Sequence, residues 1–238
     1  MGDFGGVPDS ERNVIKHGRV AHFSYLPSGA PGRVFVRRAM RGGVLGALLG
    51  GLYLDPNRPT QEIRAAIAAL RSGVHVPEPL AVRRTRINGG FYRFTLVSRE
   101  IPEAADLLTL APKLSQPERR RLLDRVADEM RRLHEAGIYH ADLTLKNILA
   151  SGPSVYIVDL DKAYLKGRRL PAFDVMNLSR LNRSFEKLLG RKGCVTRSEK
   201  LRFLRRYLAG SRSVKDVARL CTSGLWAHRL WWSLSGQT

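Results

Sequence analysis

Residues 140–161 read His-Ala-Asp-Leu-Thr-Leu-Lys-Asn-Ile-Leu-Ala-Ser-Gly-Pro-Ser-Val-Tyr-Ile-Val-Asp-Leu-Asp. Five residues after the Asp of a His-x-Asp stands an Asn, and a short apolar run, Val155-Tyr156-Ile157-Val158, ends on a second carboxylate, Asp159. This trio suits transfer of a phosphoryl group from ATP to a hydroxyl. Asp142 can accept the proton of the attacking hydroxyl. The amide oxygen of Asn147 and the carboxylate of Asp159 can hold the Mg2+ that neutralises the nucleotide phosphates, a cation that requires hard oxygen ligands. Taken singly, these residues read equally well as a buried histidine on a turn and surface carboxylates. The fixed spacing, set between an amphipathic helix and a strand, selects the site reading. Asp161 shares the strand end, and Asp159 is preferred as the metal ligand because it directly follows the apolar run.

Upstream, Ser115 and Glu118 form a capping box with Pro117 in the first turn. Leu122, Leu123, Val126, Met130 and Leu133 supply an apolar stripe, and Gly137 closes the predicted helix. The first half reads differently. Asn13 to Ile15, Arg19 to Tyr25 and Arg33 to Met40 read as strands, the last two separated by a Pro- and Gly-containing turn at Leu26 to Gly32. Arg58 to Arg71 is predicted helical, with Ile63, Ile67 and Leu70 recurring on one stripe. Val74 to Pro79 is extended on account of its prolines, and Ala81 to Arg86 pairs with Phe91 to Arg99 across Asn88-Gly89-Gly90. From Ala172 onward the pattern is mostly helical. The expected architecture is α+β, a two-lobed protein-kinase-like fold. Residues 1–12 form a flexible N-terminus and residues 13–101 a β-rich N-lobe with one helix. Residues 102–238 form a mainly helical C-lobe carrying the catalytic loop 140–147 and the metal-binding Asp159.

Such a site needs a cation on the third strand to touch the phosphates, and a Glu on the following helix to position it. Val34-Phe35-Val36-Arg37 puts Arg37 at that place, and Glu62 begins the predicted helix. Arginine binds phosphate through a bidentate fork where lysine offers a point charge. Arg37 also reads as one more basic surface residue. A Gly-x-Gly-x-x-Gly loop is missing, and Gly18, with Gly29 and Gly32 at the turn, is the candidate for close backbone approach to phosphate. Leu160 and Asp161 follow Asp159 where regulated protein kinases carry Phe and Gly, and no Ala-Pro-Glu follows. These departures point to a small-molecule or glycan kinase.

Composition narrows the partners. The chain has 238 residues, 41 Lys plus Arg against 21 Asp plus Glu, and a formal net charge of +20. Residues 165–238 hold 17 basic and 4 acidic side chains, a net of +13. That excess implies a polyanionic partner (nucleic acid, an anionic membrane surface or a phosphorylated glycolipid), against the alternative of a solvated basic face. No apolar run reaches the length of a membrane span, and no secretory signal is expected at the N-terminus. Cys194 and Cys221 have no metal-ligand spacing and are expected to be reduced thiols of a cytoplasmic protein.

Further elements carry a more specific likeness. Arg41-Gly42-Gly43, Val76-Pro77-Glu78-Pro79, Arg99-Glu100-Ile101, His140-Ala141-Asp142-Leu143, Ile157-Val158-Asp159-Leu160-Asp161 and Asn177-Leu178-Ser179-Arg180-Leu181-Asn182-Arg183-Ser184 resemble the bacterial lipopolysaccharide core kinases. Among these the chain most resembles those acting on 3-deoxy-D-manno-octulosonic acid (Kdo), over roughly residues 13–208. The resemblance implies ATP- and Mg2+-dependent phosphorylation of an inner-core sugar on a Kdo–lipid A glycolipid. It also implies a peripheral enzyme at the cytoplasmic face of the bacterial inner membrane, with no nucleic-acid partner. Ala39 and Met40 stand where the family has an aromatic residue and a further Arg, which keeps a core heptose open as the acceptor. A small atypical serine kinase and a catalytically weak polyanion-binding module are the other readings. Arg180 and Arg183, three apart on a helix, either clamp an acceptor anion or pair with Glu186 or the acidic catalytic segment. Val44 to Leu54 is either buried in the N-lobe or dips into a lipid interface. Trp226, Trp231 and Trp232 beside His228 and Arg229 read either as an interfacial helix or as a tail packed on the C-lobe.

Overall fold

Short runs of alternating apolar and polar residues build the first part of the chain, and long apolar stripes at helical spacing build the second. The computed structural model describes residues 13–17, 20–29, 31–39, 51–57, 59–190 and 194–222. Gly18, Met40, Arg41-Gly42-Gly43, Val44–Gly50 and the tryptophans from Trp226 onward, to which sequence reading assigned roles, lie outside the described residues. The chain divides into two compact units, residues 1–67 with 77–102, and residues 68–76 with 103–238.

In the first unit, β1 (Asn13–His17), β2 (Val20–Tyr25), β3 (Val34–Arg38), β4 (Pro79–Ile87) and β5 (Phe91–Arg99) form an antiparallel sheet in the order β1-β2-β3-β5-β4. Phe23, Val34 and Val36 form its buried core, with Tyr25 and Val97 packed against them. Because strand side chains alternate between faces, Phe35 and Arg37 are directed to the face opposite that core. The β4–β5 turn runs through Gly89 and Gly90 at φ 79° and 78°, left-handed values that glycine adopts without strain.

Helix α1 (Thr60–Arg71) forms where its periodicity predicts. Ala65, Ala66 and Ala69 are buried, while Ile67 and Leu70 are each 38% exposed. Residues 68–76 group with the second unit for a reason that spacing does not reveal. The buried Glu129 accepts hydrogen bonds from the His75 backbone N–H (2.6 Å) and engages its ring Nδ1 (3.1 Å), and the Ile157 N–H donates to the His75 carbonyl (3.0 Å).

The second unit is organised around α3 (Gln116–Glu135), preceded by β6 (Ala105–Asp106) and the single turn α2 (Leu107–Leu110). The expected capping box is present: the Ser115 N–H donates to Glu118 at 2.9 Å. Gly137 ends the helix at φ 68°, and a Cβ there would come 2.5 Å from the Arg168 nitrogen, so both conformation and space require glycine. Beyond it, β7 (Ile138–His140) pairs with β10 (Ala163–Leu165), and β8 (Ile148–Ser151) lies between β6 and β9 (Ser154–Ile157). The expected strand at 155–158 is thus shifted one residue back, because the Val158 N–H is bonded to the Asn147 carbonyl and not to a neighbouring strand. Helices α4 (Pro171–Leu189), α5 (Arg197–Leu208) and α6 (Val214–Thr222) follow. Arg119 of α3 and Glu199 of α5 form a buried ion pair at 2.9 Å, which keeps those helices in register. No described helix is long and apolar enough to cross a membrane.

Candidate active site

Two antiparallel pairings bring residues 140–161 back on themselves: β7 with β10, and β8 with β9. Between the strands lies a loop whose backbone is fixed by the buried His140. Its Nδ1 accepts from the Asp142 N–H at 3.0 Å, and its Nε2 donates to the Val158 carbonyl at 2.9 Å. One imidazole thereby links the residue bearing the candidate base to the residue preceding Asp159. Those two bonds require a neutral ring with its proton on Nε2. Burial pushes the His140 pKa down against the opposing pull of the Val158 carbonyl and, in descending order, the carboxylates Asp159, Asp142 and Asp161.

Asn147 completes the group. Its side-chain N–H donates to the Asp142 carbonyl at 2.8 Å, while the Val158 N–H donates to the Asn147 carbonyl at 3.0 Å. With the amide nitrogen committed, the side-chain oxygen is the atom offered for coordination. Asp159 sits at φ 66°, ψ 56°, a left-handed conformation uncommon for a residue with a side chain and found repeatedly at functional positions. Asp161 has ordinary helical surroundings in the short turn Leu160–Lys162. The donor set fits Mg2+, since Asn147 and Asp159 supply hard oxygens beside Asp142. Among the described residues no cluster of three or more His, Cys, Asp and Glu could hold a metal ion, so the fit to Mg2+ rests on the amide oxygen of Asn147 with the carboxylate of Asp159.

Helix α4 supports the loop. Asn177, 4% exposed, accepts from the His140 N–H at 3.1 Å and donates to the His140 carbonyl at 3.0 Å, satisfying both backbone groups of that residue. Its oxygen also meets His134 Nε2 at 3.0 Å, and His134 Nδ1 contacts the Tyr207 hydroxyl at 2.7 Å. Burial holds the His134 pKa down, to about 4, against the attraction of Asp174. One turn on, Arg180 Nη1 lies 3.5 Å from Asp142 Oδ1. A turn further, the buried Ser184 accepts from the Leu145 N–H at 3.1 Å. Positions 177, 180 and 184 fall on one helical face. The run Asn177–Ser184 is therefore the platform of the loop at 140–147, and this explains the spacing of its polar residues. Sequence reading identified the run but gave no role to Asn177, Ser184 or the ring nitrogens of His140; the i, i+3, i+7 spacing was the available signal.

The alternatives left open for the two arginines divide. Arg180 pairs with the catalytic segment, whereas Glu186 is engaged by Lys200 at 2.6 Å. Arg183 lies beside Arg180, and burial, with that neighbouring charge, lowers its pKa. In the first unit, Arg37 of β3 forms an ion pair with Glu62 of α1, both partly buried, as the phosphate-cation reading requires. Of residues 44–54, only the last four are described: Tyr53 is buried and Leu54 is 61% exposed.

Comparison with known proteins now places the chain. Over 94% of its length it matches the solved structure of WaaP in complex with acyl carrier protein, covering 87% of that chain with a TM-score of 0.59 at 20% identity. It also matches the Drosophila melanogaster PAN3 pseudokinase over 92% of its length and 65% of that chain, with a TM-score of 0.51 at 14% identity. The fold is an α+β, kinase-like one. The profile of the lipopolysaccharide kinase (Kdo/WaaP) family matches residues 32–207, and the chain belongs to that family. It is 34% identical over 159 residues to the 3-deoxy-D-manno-octulosonic acid kinase of Vibrio parahaemolyticus, covering 65% of each chain. It is 31% identical over 165 residues to the kinase of the same description from Haemophilus influenzae, covering 66% of this chain and 67% of that one. The chain spans about two thirds of the length of these relatives.

Proposed function

We propose that this protein transfers the γ-phosphoryl group of ATP to a hydroxyl of an inner-core Kdo residue on a lipid A precursor. The observation that carries the reading is the loop held by His140 and Asn177, which sets Asp142, Asn147 and Asp159 around one buried ring. Asp142 receives the hydroxyl proton as the sugar oxygen attacks phosphorus and the bond to the ADP leaving group breaks. Asn147 and Asp159 are the residues that would hold Mg2+, which when bound supplies charge neutralisation at the phosphates. Arg37, ion-paired with Glu62, is the first unit's candidate for a phosphate-binding cation. The Arg180 guanidinium beside Asp142 supplies a cation for an anionic acceptor, which a Kdo carboxylate matches.

This reading carries a setting with it: a peripheral protein at the cytoplasmic face of the bacterial inner membrane, whose basic surface meets anionic lipid. The relatives named as Kdo kinases and the net charge of +20 support it. The test is to incubate the purified protein with ATP, Mg2+ and Kdo–lipid A, and to read the product by mass spectrometry. Addition of one phosphate on the Kdo is the expected result. Phosphate found only when a heptose-bearing acceptor is supplied would move the activity to heptose. Phosphorylation of protein substrates alone would replace this reading with an atypical serine kinase.

A further inference from the structure

The hairpin β4–β5 differs from the rest of the first unit. Residues 79–99 contain Arg83, Arg84, Arg86, Arg93 and Arg99 and not one Asp or Glu. Among the described strands, β4 is one of the two edges of its sheet, paired with β5 alone. Its interior positions are exposed on both faces. That exposure includes aliphatic side chains, with Leu80 at 41% and Val82 at 37%. Register places Val82, Arg84 and Arg86 opposite Leu96, Phe94 and Tyr92, on the face where the Arg84 guanidinium lies 5.6 Å from the Tyr92 ring. Arg83 points to the other face, opposite Thr95. Exposed edge strands are ordinarily protected by charged side chains, proline, bulges or a covering element. Here β4 begins with Pro79 and a bulge before Ala81, and beyond them its charged side chains are all arginine and are interleaved with exposed apolar groups.

We propose that this hairpin is the surface through which the protein docks on an anionic lipid bilayer. The inference rests on the reading that its acceptor is a membrane glycolipid. Arginine guanidinia pair with headgroup phosphates, and their stems together with Leu80 and Val82 enter the interfacial layer. Charge complementarity identifies the occupant as an anion. The aliphatic side chains favour lipid over nucleic acid, whose backbone gives them nothing to contact. A second copy of the chain fits poorly, because antiparallel self-pairing of β4 would set arginines against arginines.

The test is co-sedimentation of the full chain with vesicles of phosphatidylcholine, alone or with about a third phosphatidylglycerol, without ATP or acceptor. Failure of the kinase assignment would therefore leave this result intact. The protein is expected to bind only the anionic vesicles. Each basic side chain within a Debye length of such a surface contributes about fivefold to partitioning, so Arg83→Gln with Arg84→Gln and Arg86→Gln should weaken binding about a hundredfold. The matched loss of charge from exposed positions around α6, Arg212→Gln with Lys215→Gln and Arg219→Gln, should cost less than about tenfold, since those side chains lie outside the docking surface. Replacing the three hairpin arginines by lysine should retain most of the binding, which separates lost charge from lost fold. Leu80→Ser with Val82→Ser should reduce the fraction that stays bound at high salt. Equal losses in the two glutamine triples would overturn the proposal. So would unchanged vesicle binding in the hairpin triple, whether accompanied by lost binding to an RNA oligonucleotide or by dissociation of a dimer.

Discussion

The two regions proposed to meet phosphate are held in place by different forces. In the second unit, Asp142 and Asp159 are positioned through their backbones: His140 bonds to the peptide units of Asp142 and Val158, and Asn177 bonds to both polar groups of His140. In the first unit, Arg37 is positioned through its charge, by an ion pair to Glu62 whose side chains keep 24% and 15% of their exposure. A buried, directional network fixes a geometry, because leaving one of its donors or acceptors unsatisfied is costly. A partly exposed ion pair fixes a charge in a neighbourhood and tolerates rearrangement. The general base has to meet one oxygen at hydrogen-bond distance, whereas a phosphate-binding cation has to stabilise charge spread over several. Each region uses the force that suits its task.

The largest test of this contrast is Asp142→Asn. It keeps the shape and removes the proton acceptor, so kcat should fall by about 10² to 10⁴ while nucleotide binding, measured by calorimetry, stays near that of the parent. Turnover close to the parent would remove Asp142 from the chemistry. Asp159→Ala should weaken Mg-ATP binding and turnover together, and Asp161→Ala should do much less of either. The left-handed backbone at Asp159 is the structural reason for that ranking. The reverse ranking would assign the metal to Asp161.

The comparison is attacked more directly at Asn177. Asn177→Ala strips partners from the His140 N–H and carbonyl and from the His134 ring, all buried. A loss of about 3 kcal/mol in stability is expected from urea unfolding. A positioning role adds what a packing defect does not: kcat should fall in the folded variant while KM for ATP stays unchanged. If stability falls and kcat does not, the loop keeps its geometry without help from α4.

What could be read in advance follows the same division. The trio Asp142, Asn147 and Asp159 was legible because its spacing is local and its chemistry needs particular residue types. The capping box at Ser115 and Glu118 and the helix end at Gly137 were legible because such signals are written within a few residues. The stripe Ile63, Ile67 and Leu70 was enough to find α1, but the most deeply buried side chains of that helix are Ala65, Ala66 and Ala69, and period alone does not say which face is buried. The Glu129–His75 tie and the Asn177–His140 clamp join residues 54 and 37 positions apart. Each of these residues reads as ordinary until the chain is folded.

The buried network also predicts a pH dependence. His134 titrates near 6.5 in an unfolded chain and at about 4 in the folded one, so protonation favours unfolding. Its contribution to stability is complete above about pH 6.5, declines as pH falls between those values, and levels off below the folded pKa. At pH 5 the loss relative to pH 7.5 should be about 2 kcal/mol, with His140 adding in the same direction. His134→Gln should flatten the profile measured by urea midpoints across this range. An unchanged slope would mean that the protons are taken up elsewhere.

The smallest expected effect tests the looser half of the comparison. Arg37→Ala removes the cation and should raise KM for ATP by about tenfold or more, as for the loss of a charge-assisted hydrogen bond. Arg37→Lys keeps the charge near Glu62 and surrenders the fork. If the charge is what this position supplies, KM should rise by only about fivefold, corresponding to about 1 kcal/mol for one hydrogen bond. kcat should stay put, because an ammonium at this position would stabilise phosphate charge without aligning the attacking oxygen. A lysine variant as impaired as the alanine one would show that Arg37 is held as strictly as Asp142, and that its ion pair acts as a geometric constraint. An alanine variant with unchanged KM would show that the phosphates are met by another cation.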